Sequence, residues 1–285
     1  MTPLPVLLAL TAGVSNMLLG AAGKQAERAD CRPAVVPVLM LGTVAVLAST
    51  LLPFTRGGWG DGGVWVLAAT MGLLYVAALQ SMIAANKHCP PSLVWSLANL
   101  GLLIPIMLAP VVLHESWHVT DIILVLAFVA MLGSFRQGMR QAGEQAPGAR
   151  SWWLLTGVWL CNGLLMLGYK LKAQSWPAVG TVPFLVLVFG CGALLGALTL
   201  FRVHPRATGV EWRLSLLMGV AATVANAALL GAVTLPAVVA FPLVQGTALI
   251  GGTLLMAVRF REQLNIWKII GLCCGGLVLA LAIVR

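Results

Sequence analysis

Residues 14–24 read VSNMLLGAAGK, and residues 160–170 read LCNGLLMLGYK. Asn16 and Lys24 return as Asn162 and Lys170, both 146 positions later. Val36-Pro37 returns as Val182-Pro183 at the same spacing. WVLAATMG from Trp65 returns as WRLSLLMG from Trp212, and HESWHVTDII from His114 returns as REQLNIWKII from Arg261, each 147 positions later. Four echoes in one order at a nearly constant offset mark an internal duplication.

Working outward from that repeat, composition says what is duplicated. The chain is 60% hydrophobic and only 9% charged. A water-soluble domain carries about 25% charged residues, so this chain cannot cover itself with a hydrated surface. Crossing a ~30 Å hydrocarbon layer takes roughly 20 mostly apolar residues in a helix. Ten stretches qualify: 4–23, 34–53, 63–84, 90–112, 120–137, 152–171, 180–201, 212–232, 236–258 and 265–284. They are too long and too evenly apolar for barrel strands. In lipid the backbone must satisfy its own hydrogen bonds, so each stretch is expected to be a helix.

The longest polar joint, QGMRQAGEQAPGAR at residues 137–150, divides the ten into five and five. The expected fold is an all-α membrane protein of ten transmembrane helices in two repeats, residues 1–143 and 144–285. An odd number of crossings sends the second copy in from the opposite face. Inverted repeats of this kind suit a transporter with its site near the midplane between the halves.

Basic residues set the expected orientation. Lys24, Arg28, Arg32, Lys87, Arg136, Arg140, Arg150, Arg202, Arg206, Arg213, Arg259, Arg261 and Lys268 fall on the side of the first loop. Only Arg56, Lys170, Lys172 and Arg285 fall on the other. The first loop is therefore expected in the cytoplasm and both termini outside. Met1–Val6 holds no Lys or Arg, which agrees and speaks against a cleaved signal peptide. The net charge of +9 reports topology, not a nucleic-acid partner, because no water-facing domain exists to carry a basic patch.

Two other readings of the reactive residues are weaker. Cys31, Cys89, Cys161, Cys191, Cys273 and Cys274 match no metal or redox spacing, and thiols in a helix pack as small apolar groups. His114-Glu115-Ser116-Trp117-His118 spells HExxH, which on a helix aims both imidazoles one way, as a zinc pair requires. A membrane metalloenzyme built on His114, Glu115 and His118 is thus the alternative function. A catalytic zinc needs a third ligand, and none stands out; the expectation is no enzyme, no metal and no cofactor.

The five-plus-five plan, the Asn-x7-Lys of the first helix in each half, and a Glu before each half's last helix (Glu115, Glu262) resemble the drug/metabolite transporter superfamily, most of all its EamA-like permeases. That resemblance covers the whole chain. It implies a multi-pass protein of the bacterial inner membrane that moves small metabolites such as amino acids, amines or drugs. It also implies cytoplasmic termini, opposite to the charge count.

Candidate substrate contacts are the polar and aromatic residues inside the spans. Asn16 and Asn162 are equivalent in the duplication. Counted from Pro90 and Pro236, the fourth helix of each half carries an aromatic at +5 and an amide at +9: Trp95 with Asn99, and Phe241 with Gln245. Residues four apart share a helix face. A proline within a span bends the helix and frees a carbonyl, as expected at Pro105 and Pro242. Gln80, Asn86 and Asn226 extend the polar lining, and Tyr75, Trp159 and Tyr169 offer aromatic walls to an amine. Lys24 and Lys170 either meet an anionic group or snorkel to the interface. All eight acids lie near span ends, so a proton-coupling carboxylate at mid-depth is not expected. The partners implied are a small-molecule substrate and the bilayer. Gly271–Gly275 allows either internal packing or a homodimer.

Orientation is directly testable. A C-terminal reporter pair, one half fluorescent only inside the cell and the other active only outside, should show external activity without fluorescence. Bright fluorescence with no external activity would reverse the topology.

Overall fold

The computed structural model describes every residue except 1–2, 33, 56, 87, 89–90, 113, 116–117, 141–148, 202–206, 261–264 and 285. The described residues fold almost entirely into helices. In order these are α1 (Pro3–Arg28), α2 (Val35–Leu51), α3 (Gly62–Asn86), α4 (Pro91–Leu100), α5 (Leu103–Val112), α6 (Val119–Arg140), α7 (Ala149–Ser175), α8 (Thr181–Phe201), α9 (Gly209–Ala232), α10 (Ala237–Phe260) and α11 (Ile266–Val284). Eight are long and apolar enough to cross a membrane; α4–α5 and α6 are shorter apolar helices. The chain is a multi-pass, all-α integral membrane protein.

Its exterior is what a bilayer demands. Leu4, Leu7, Val46, Leu126, Leu194, Leu198 and Val258 are exposed. In water such a surface would aggregate; against lipid it costs nothing. Trp65, Trp153 and Trp212 stand exposed near helix starts, where an indole suits the headgroup layer.

Packing runs across the two halves of the sequence. α1 packs on α9 and α10, α7 on α3 and on α4–α5, α2 on α8 and α9, α3 on α8, and α6 on α11. Without a hydrophobic drive between helices in lipid, close approach must supply the attraction, and glycine permits it. A methyl on Gly72 would come within 2.7 Å of Gly192 N and Val188 O, so α3 and α8 meet backbone to backbone. One on Gly275 would meet Ile250 Cδ1 at 2.8 Å and Met131 Sδ at 2.9 Å, so this end of the Gly271–Gly275 stripe already faces α10 and α6.

The fourth span is broken, and the chemistry of the break is complete. Pro105 has no N–H to give the Gly101 carbonyl. Ile104 N turns to Gly101 O instead, at 3.0 Å, while Gly101 N bonds Ala98 O and Leu102 N bonds Asn99 O, both at 3.2 Å. This tightened turn orphans the Leu100 carbonyl, which Ile104 would have served. Trp159 Nε1, on α7, donates to it at 3.1 Å. Gly101 makes room: a methyl there would lie 2.9 Å from Gly163 N and 3.0 Å from Trp159 O. Pro242, by contrast, sits within an unbroken α10.

Removing either support should destabilise the break. Trp159→Phe leaves a buried carbonyl without its donor, at about 1–3 kcal/mol. Gly101→Ala drives a methyl into backbone, again about 1–3 kcal/mol. Both should lower the melting temperature in detergent, and an unchanged value for both would show that the break needs neither.

Candidate functional site

Polar side chains gather in two places that meet on α7. One is at the end of the molecule where α7 finishes. Burying an ammonium is costly unless all its protons are used. Lys170, 6% exposed, uses three: Nζ lies 2.6 Å from Glu115 Oε1, 3.0 Å from Val233 O, and in a short bond to Leu235 O. The other carboxylate oxygen, Glu115 Oε2, accepts from Ala237 N, the first residue of α10, at 2.8 Å. Lys170 therefore does not snorkel to the interface; it ties α7, the α5–α6 connection and the turn before α10 together.

The same geometry overturns the helical reading of HExxH. α5 stops at Val112, and His114 takes a left-handed φ of 53°. Glu115 N then turns back to Ala109 O at 3.2 Å. His118 precedes α6, where its N–H donates to Asp121 Oδ2 at 2.8 Å, closing the first turn of that helix. His114 and His118 thus lie in a connection and do not share a helical face. Among the described residues no three His, Cys, Asp or Glu gather as a metal site.

Further contacts join the halves at this end. Gly58 and Val179 form an isolated bridge, and Gly180 N donates to Gly58 O at 3.2 Å. Lys172 Nζ donates to Val179 O at 2.7 Å and sits 5.9 Å from the Phe184 ring centre. Trp176 Nε1 donates to Asp61 Oδ1 at 3.1 Å. The Val64 N–H, then the Trp176 indole, hold the Asp61 carboxyl below its ordinary range. At the opposite end Arg32 Nε and Nη2 grip Glu211 at 2.9 and 2.7 Å.

The second cluster lies inside. Tyr75 on α3 and Tyr169 on α7 both donate to Asn226 Oδ1 on α9, at 2.8 and 2.6 Å. Asn226 Nδ2 donates to Ala222 O at 2.7 Å. The rings extend the cluster: Tyr75 lies 4.9 Å from Phe189, and Tyr169 meets Phe184 edge-on at 6.3 Å. These are the chain's two tyrosines, and both hydroxyls converge on one amide. Sequence reading named Asn226 and treated the tyrosines as walls, missing that they hydrogen-bond. Their scarcity in so apolar a chain was the available signal.

The other expected contacts are distributed. Asn16 on α1 and Gln245 on α10 are half-buried where those helices pack, with Gly13 of α1 against Val244 O and Thr247. Asn162 on α7 and the buried Asn99 on α4 flank the equivalent crossing, where Gly163 meets Gly101. Phe241 is 1% exposed, packed in the core, and Gln80 is exposed. Trp159 is engaged with the Leu100 carbonyl. Lys24 is half-buried. The Trp95 side chain and Glu262 lie outside the described residues. A cavity of about 430 Å³ opens elsewhere, between the end of α1 and the start of α9, lined by Gln25, Arg28, Arg213 and Leu214.

No family model matches the sequence, and no curated protein matches it. A solved structure described only as "Crystal structure of protein" aligns with 98% of this chain and 98% of its own, at a TM-score of 0.74 and 17% identity. At that identity the likeness concerns the fold alone: the complete helical arrangement recurs in a distant sequence.

Asn226→Leu should strand both tyrosine hydroxyls and lower stability by about 1–3 kcal/mol. Tyr75→Phe and Tyr169→Phe should each cost less, because the amide keeps one donor. Thermal unfolding in detergent checks the order, and equal effects from all three would dissolve the network as a unit.

Proposed function

We propose that this chain is a solute transporter working by alternating access, built as two inverted five-helix repeats, residues 1–143 and 144–285. One observation carries the reading: the packing scheme survives exchange of the repeats. Shift each helix to its counterpart, with α4–α5 counted as one crossing. The contact of α1 with α9 becomes α7 with α3, and α1 with α10 becomes α7 with α4–α5. The contact of α3 with α8 becomes α9 with α2; the α2–α8 and α6–α11 contacts map onto themselves. Two halves with interchangeable contacts can trade conformations, which is how an inverted repeat exposes one site to each side in turn.

The polar side chains of the interior support a substrate class. The interior offers amides, hydroxyls and aromatic faces: Asn16, Asn162, Asn99, Gln245, and Asn226 with its two tyrosines. This suits a small polar or amphipathic metabolite, amino-acid-like, amine or drug-like, in keeping with the resemblance to EamA-like permeases. A bacterial inner-membrane location fits the same resemblance. With the acids near span ends, transport runs without a proton-swapping carboxylate at mid-depth.

Purified protein in liposomes, screened against amino acids, amines, sugars and nucleobases, should show saturable uptake of one class that survives a protonophore. Asn99→Ala and Gln245→Ala should weaken apparent affinity with little change in melting temperature. Loss of stability at unchanged affinity would assign both residues to packing, and absence of uptake and of thermal stabilisation across all classes would overturn the transporter reading.

A further inference from the structure

The cavity of about 430 Å³ between the end of α1 and the start of α9 is lined by two exposed guanidinium groups. Arg28 comes from the last turn of α1, and Arg213 from the beginning of α9. Gln25 adds an amide, and Val210 and Leu214 add an apolar wall. No carboxylate is among the described residues of the lining. Glu211 is already engaged, with one oxygen on Arg32 Nε at 2.9 Å and the other on Arg32 Nη2 at 2.7 Å. The cavity therefore presents positive charge, and guanidinium groups take phosphate through paired N–H donors.

Its depth says which kind of phosphate fits. Trp212 is exposed beside Arg213, and an indole belongs to the headgroup layer. Below it both helices bare aliphatic side chains. On α9, Leu217, Val220 and Val224 are exposed and lie within about 40° of Arg213 around the helix. Val224 is about 16 Å along the axis from Arg213, the depth of one leaflet. On α1, Leu18 and Val14 are exposed about 15 and 21 Å from Arg28. These faces turn away from the interior amides. Residues nine apart oppose each other across a helix, and residues two apart nearly do. Leu217 thus opposes Asn226, and Val14 and Leu18 oppose Asn16. A soluble anion has no use for such a surface, whereas acyl chains do.

We propose that this groove holds one anionic phospholipid, with its phosphodiester between Arg28 and Arg213 and its chains along the exposed faces of α1 and α9. The site stands apart from the transport pathway and does not depend on the transporter reading. A lipid seated there touches one helix from each half of the chain, at the end where Arg32 grips Glu211. Both guanidinium groups are exposed, so the attraction weakens as salt rises.

The test titrates the protein, in a neutral maltoside detergent, with phosphatidylglycerol or phosphatidylcholine and counts bound lipid by native mass spectrometry. Phosphatidylglycerol should bind the more tightly, and its advantage should shrink with salt. Arg28→Ala and Arg213→Ala should each weaken its binding about fivefold, and the double variant roughly 25-fold. Arg28→Lys with Arg213→Lys keeps both charges and should retain most of the binding. Arg259→Ala, which removes an exposed charge from the end of α10, should change nothing. Equal binding of the two lipids by the parent, or undiminished phosphatidylglycerol binding by the double alanine variant, overturns the proposal. An equal loss in Arg259→Ala also overturns it, because binding would then report overall charge. Glycerol 3-phosphate competing as well as the lipid would assign the cavity to a soluble anion and overturn it too.

Discussion

In hydrocarbon a backbone carbonyl has no water to turn to. Everything distinctive here follows from that constraint. It makes the chain helical almost throughout, and it makes each interruption an accounting problem. The break between α4 and α5 releases the Leu100 carbonyl, and an indole from α7 takes it up. The turn between α9 and α10 releases the carbonyls of Val233 and Leu235, and the Lys170 ammonium takes both. In each case the donor comes from α7. That helix leads the second half of the chain, and it repairs one backbone fault in each half.

The same constraint explains the glycine contacts. With lipid tails as apolar as leucine, helices gain little by hiding from their solvent. They gain by touching closely, and Gly72 with Gly192, and Gly101 with Gly163, bring backbone against backbone. Charge is spent sparingly and placed at the ends. Glu115 with Lys170 joins the halves at one end, and Arg32 with Glu211 joins them at the other.

Helix placement was legible because twenty apolar residues in a row admit one solution in a bilayer. The fate of the two prolines was not. Pro105 and Pro242 look alike in the sequence, yet only the fourth span breaks. What distinguishes them is across the contact: Trp159 of α7 waits with a donor for the Leu100 carbonyl. The Glu115–Lys170 contact was equally hidden. Its partners are 55 positions apart, and the HExxH spelling presupposes a helix that His114, with its left-handed backbone, ends. Asn226 was legible as polar lining because it lies inside an apolar run. The convergence of two tyrosine hydroxyls upon it required three helices to be placed first.

Tyr169 and Lys170 are neighbours in sequence. Successive residues on a helix diverge by about 100° around its axis, so one reaches inward to Asn226 and the other outward to Glu115. α7 is in this sense a crankshaft with two throws. A turn about its own axis cannot slacken the interior grip while leaving the Glu115–Lys170 ion pair in register, nor the reverse. The interior amide and the ion pair at the end of the molecule are thus geared by one residue step of helix, with no relay of side chains between them.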